Sequence, residues 1–147
     1  MINDTRSAVI TQVDMLSDDD IAQMDSRRAW IVEYPGFSGD LQTIEGKLGL
    51  IEAVLQDKAV AGEATTLQAL GIVLGDAIAH KKAMAWYMMT TGMGRGPGLG
   101  VPGTDIKILP LTFIRDHVAR GEAVDVQETF AFFCDAVDDM KRQAGMA

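Results

Sequence analysis

The sequence predicts a helix-rich α+β fold: about five helices with a small antiparallel β-hairpin sheet. Two observations predict it. Apolar residues recur at spacings of three and four in several segments that carry helix start and stop signals. Between two of these segments lie short β-compatible runs, MAWYMMTT (84–91) and IKIL (106–109), separated by a glycine-rich stretch. Size sets a third bound. A chain of 147 residues, 48% hydrophobic, fits one domain and buries roughly 70% of its unfolded surface without disulfides or metal.

Residues 1–16 are weakly patterned and read as an N-terminal arm, either a short helix or partly ordered; residues 17–147 read as the single α+β domain. Ser17 followed by Asp18, Asp19 and Asp20 predicts a helix start, because the hydroxyl caps free amides and the carboxylates sit at the positive end of the dipole. That helix runs to about Val32 and stops before Pro35-Gly36. Ser38 is expected to open a second helix with the stripe Leu41, Ile44, Leu48, Ile51 and Leu55. Gly46 and Gly49 inside it each cost up to about 1 kcal/mol against alanine, which close approach of a neighbouring backbone would offset. Thr65 or Thr66 starts a third helix, apolar on most sides, in which Gly71 and Gly75 share a face. That flat strip reads as tight helix packing, with a ligand groove as the alternative. A short helix from about Thr112 ends at Gly121, and Asp125 caps the last helix with Phe130, Phe133, Val137 and Met140 on one face.

The segment GRGPGLGVPG (94–103) contains G-x-G-x-x-G, the shorthand for a nucleotide-phosphate cradle. Such a cradle opens a helix whose N-terminus holds the anion. Here the glycines lead to Thr104-Asp105 and then to a β-compatible run, so the segment reads as a long hairpin connection with no phosphate site.

The net charge of −8 disfavours nucleic acid and anionic lipid as partners, and permits a protein partner with a basic surface. No run of about 18 apolar residues and no leader pattern occur, which predicts a cytoplasmic chain without a membrane span. Two histidines and one cysteine, without ligand spacing, predict no metal site and no cofactor. Cys134, beside Phe133 and Asp135, reads as a small buried hydrophobe. No serine lies in G-x-S-x-G, and the acidic groups 18–20 and 138–139 read as solvated helix ends or faces, so no catalytic residue is assigned. Met88, Met89 and Met93 fill core space or form an adaptable surface. Arg95 is a lone cation with no acidic neighbour in sequence, and it is the polar anchor if the loop is a contact site.

The order of features over residues 67–140 resembles a bacterial family catalogued as domain of unknown function 3806. The resemblance rests on Leu70-Gly71 with Leu74-Gly75-Asp76, on Trp86, on Pro110-Leu111, and on Arg120-Gly121-Glu122. It implies a small cytoplasmic α+β domain and supplies no catalytic residues. Where the family's first strand ends in an acidic residue, this chain has Thr90-Thr91-Gly92, so a role tied to that acid does not carry over.

Three functional readings follow. The favoured one is a non-catalytic binding module, an immunity-type inhibitor that occludes a bacterial toxin through Arg95, Met93, Asp18, Asp19 and Asp20. The second is a small-molecule receptor or enzyme using the cleft between the Gly71/Gly75 helix and the hairpin, with Asp76, Arg95 and Arg115 converging there. The third is a homo-oligomeric structural unit with apolar contacts at Phe37 and Met93. Monomer and dimer both remain open.

Overall fold

The computed structural model describes residues 9–34 and 39–145. Among the described residues, five helices and a four-stranded antiparallel sheet share one core. The first element among the described residues is strand β1, Gln12–Asp14. The N-terminal arm therefore contributes an edge strand, not a helix: Thr11 N donates to Thr90 O at 2.8 Å, and Val13 lies opposite Met89.

Helix α1 covers Asp18–Val32 and begins with a full capping box. Asp20 N donates to Ser17 Oγ at 3.1 Å, and Ser17 N donates to Asp20 Oδ2 at 2.9 Å. Pro35-Gly36, Phe37 and Ser38 lie outside the described residues. Helix α2, Ile44–Gln56, starts later than the periodicity suggested, because Thr43 supplies the cap. Its hydroxyl accepts from Gly46 N at 2.9 Å. Leu41 lies before the helix, yet it still packs on the core with Ile44 and Leu55. At Gly46 a side chain would collide with the carbonyl of Asp40, so close backbone approach explains this glycine.

Helix α3, Ala64–Lys82, is the central element. Leu70, Leu74, Ala77 and Ile78 are fully enclosed. The Gly71/Gly75 strip is packing, as the sequence favoured. Leu111 lies over Gly71 and the Trp86 ring over Gly75. Strands β2, Ala85–Thr91, and β3, Gly94–Gly100, form a hairpin, and β4, Lys107–Ile108, pairs only with Leu99 and Gly100. The glycine-rich segment is thus itself a strand, not a long connection, and IKIL pairs with it rather than with MAWYMMTT. No helix begins directly after Gly103, so the phosphate-cradle geometry does not arise.

Helix α4, Pro110–Ala119, starts with proline at its first position, two residues before Thr112. Gly121 follows it at φ 71°. Helix α5, Val126–Gln143, is capped by Asp125, whose Oδ1 accepts from Glu128 N at 3.0 Å. Lys82 donates to Asp138 at 2.9 Å and ties α3 to α5. Cys134 is buried, and burial pushes its thiol pKa up. No helix among the described residues is long and apolar enough to cross a membrane.

Candidate functional site

A cleft of about 400 Å³ opens between α1, α3, the β2–β3 hairpin and the start of α4. Its apolar wall comes from Met24, Leu67, Ile72, Met88, Met89 and Leu111. Three guanidinium groups, Arg27, Arg95 and Arg115, and one carboxylate, Asp20, supply its charge.

β3 shapes one side through its pleat. Glycine occupies positions 94, 96, 98 and 100, alternating with Arg95, Pro97 and Leu99. Successive residues of a strand face opposite sides, so the glycines leave one face bare. The Met89 thioether occupies the space over Gly98, and the Tyr87 ring lies over Gly100. Over Gly96 nothing comes within 4 Å of where a Cβ would sit. The backbone adds an edge. Thr90 O accepts from Thr11 and so points towards β1. Its partner Arg95, and Pro97 two residues on, therefore turn their backbone groups away from β2. β4 is too short to cover them, and Pro97 has no N–H to leave unpaired on this open edge.

Asp20 and Arg95 correct two sequence readings. Arg95 is not a lone cation: its Nη1 and Nη2 donate to Asp20 Oδ1 and Oδ2, each at 2.9 Å. Asp20 is not a solvated helix end, being only 8% exposed. Hydrogen bonds from Arg95, with one from the Ser17 backbone, hold its carboxyl well below the usual carboxylate range. It is therefore a fixed anion at neutral pH. The bidentate pair clamps the first turn of α1 onto β3.

The structure brings Asp20, Met93 and Arg95 together along this cleft. Met93, in the hairpin turn, is 62% exposed. Asp18 and Asp19 stay exposed on α1 and do not line the cleft. Arg115 lines it, but Asp76 does not. Asp76 instead accepts from Arg28 Nε and Nη2 at 2.8 and 2.9 Å, and from Trp86 Nε1 at 3.0 Å, joining α1, α3 and β2. Arg120 and Glu122 pair at 3.1 Å around the Gly121 turn.

Arg27 escaped sequence reasoning. Its Nε donates to Gln68 Oε1 at 3.0 Å, beside the start of α3. A signal was present: Asp20, Met24 and Arg27 are spaced by four and three and so share one face of α1.

A small α+β domain with an amphipathic cleft is the class that this fold and site define. Residues 47–130 match the family described as domain of unknown function (DUF3806), and the chain belongs to that family. No curated protein matches it. A crystal structure from Bacteroides thetaiotaomicron VPI-5482 is similar in fold, with a TM-score of 0.69 at 17% identity. The match covers 88% of this chain and 50% of the other, so the chain spans about half the length of that solved relative.

Proposed function

We propose that the protein is a non-catalytic binding module whose ligand is a small molecule seated in the cleft. The observation that carries this reading is the cleft itself: about 400 Å³, walled by flexible methionine and leucine side chains, with few convergent polar groups. Its volume lies within the range of ordinary ligand sites. Two features support a binding role over catalysis. Asp20 is clamped as an anion by Arg95 and is a poor proton shuttle. The lining hydroxyls, Thr91 and Thr112, have no histidine or free carboxylate beside them in the cleft wall.

The test uses Nile red, a neutral dye that brightens in apolar sites. Wild-type protein should enhance its emission. Gly96→Phe should abolish the enhancement without lowering the thermal midpoint, because Gly96 lines the cleft, the space over it is open, and its same-face partner Met89 lines the cleft as well. Equal emission from both proteins would refute the proposal.

One observation favours a second reading, inhibition of a partner protein by occlusion. The exposed Met93 tip and the exposed acids Asp18 and Asp19 project near the clamped end of α1, and a basic cleft would complement them. A toxin encoded by the adjacent gene should then be captured by the protein and its toxicity suppressed. Loss of neither capture nor growth protection on Met93→Ala with Asp18→Asn and Asp19→Asn would remove these residues from the contact.

A further inference from the structure

We infer that the cleft selects an organic anion: an apolar body with a carboxylate or phosphate head held by Arg27 and Arg115. The inference rests on the cleft being a ligand site and deepens that reading. The whole chain carries −8, yet the cleft lining carries three cations against one anion. The anion is already matched, because both oxygens of Asp20 are taken by Arg95. Among the described residues, the other two guanidiniums are held only by Nε. Arg115 Nε donates to Asp116 at 3.1 Å, and Arg27 Nε donates to the neutral amide of Gln68. Among the described residues, neither arginine gives its terminal nitrogens a hydrogen-bond acceptor.

A guanidinium fork fits the two oxygens of a carboxylate or phosphate, and anchoring Nε leaves that fork aimed and partly immobilised. Arg27 is the stronger candidate, because its charge has no acidic partner among the described residues, whereas Asp116 partly offsets Arg115. The first turn of α3 adds to the field. Gly62 and Ala64 line the cleft, and Glu63 makes no side-chain cap hydrogen bond. The positive end of this 19-residue helix dipole therefore lies at the cleft wall. The chain's overall negative charge does not forbid this, since exposed charges more than about 8 Å away are screened at physiological salt. Within the cleft the apolar walls strengthen each contact.

The probes are one alkyl chain with different heads: decanoate, decyl phosphate, decanol and decylamine, titrated calorimetrically into the full chain. The inference expects at least one of the two anions to bind tenfold or more tightly than decanol, with decylamine weaker still. Comparison of decanoate with decyl phosphate identifies the head. Arg27→Gln should cut anion affinity about tenfold, Arg115→Gln by less, and both should leave decanol unchanged. Both arginines are solvent-accessible, so these variants should keep the wild-type thermal midpoint. Decanol binding as tightly as the anions, or anion affinity indifferent to Arg27→Gln, would overturn the inference and leave the cleft reading standing. Silence of every alkyl probe together with Nile red would overturn both.

Discussion

Gly71→Ala measures how closely α3 and α4 are packed. In an exposed helix this change stabilises by about 1 kcal/mol. At Gly71 the new methyl would lie 2.7 Å from Leu111 Cα and 3.0 Å from its Cβ, where ordinary contacts begin at 3.4 Å. Leu111 Cα is backbone, so no rotamer change relieves the contact and α4 must move. Overpacking of this kind typically costs about 1–3 kcal/mol. Taking the upper end against the propensity gain leaves a net loss of about 2 kcal/mol, a fall of roughly 4–8 °C in Tm for a chain of this size. Urea unfolding followed by tryptophan emission and calorimetry gives both quantities. Nile red emission should weaken in the same variant, because Leu111, Thr112 and Arg115 move with α4 and line the cleft. Gly96→Ala is the control: with open space at its Cβ, it should be neutral or stabilising by about 0.5 kcal/mol. A Gly71→Ala protein as stable as wild type would refute the packing account of the glycine strip.

The carboxyl of Asp20 is held below its ordinary value of 3.8 in the native state, so its stabilisation is full above that value and is lost as pH falls below it. Asp20→Asn should therefore be less stable at pH 7 and flatter in its acid response below about pH 5; parallel stability–pH curves would contradict this. Ala83 closes α3 at φ 54°, so Ala83→Gly should stabilise by about 1 kcal/mol, read as a raised urea midpoint with unchanged slope. Asp76→Ala leaves Arg28 Nε and Nη2 and the Trp86 indole N–H without their acceptor, while Arg28 Nη1 keeps Asp25. A loss of about 2 kcal/mol and an altered Trp86 emission should follow, and a double-mutant cycle with Arg28→Ala should show positive coupling.

The helices were legible because their determinants are local. Ser17 and Asp125 cap where the sequence places them, and Phe133 and Val137 are buried as their spacing implies. Leu41 shows the limit of periodicity: it lies in phase with the α2 stripe and packs on the core, yet Thr43 decides where the helix begins. The Asp20–Arg95 pair joins residues 75 positions apart, and no local pattern announces such a contact. The glycine segment failed for a different reason. Glycine density reads as a loop, and that expectation masked a strict alternation with Arg95, Pro97 and Leu99 that is the period of a strand. β propensity did not favour the strand; pairing along the whole of β2 did, with Tyr87 and Met89 filling the space that missing side chains leave over Gly100 and Gly98.

That same alternation builds the cleft. An ordinary strand with side chains at 94 and 96 would project them on the face shared with Thr91 and Met89, two residues that line the cleft, whereas here that face is bare backbone. Pro97 then keeps the exposed edge from recruiting another strand, because the one group it lacks is the donor that edge pairing requires. Period-two glycine, an edge proline and an arginine clamped back onto a helix cap are each tolerable singly as accidents of packing. Together they hold a cavity open beside a rigid strand, and a chain under no demand to bind anything gains stability by filling it. Gly96→Phe and Gly96→Ala test that argument as well: if filling the space raises stability while ending ligand binding, the emptiness is kept for function.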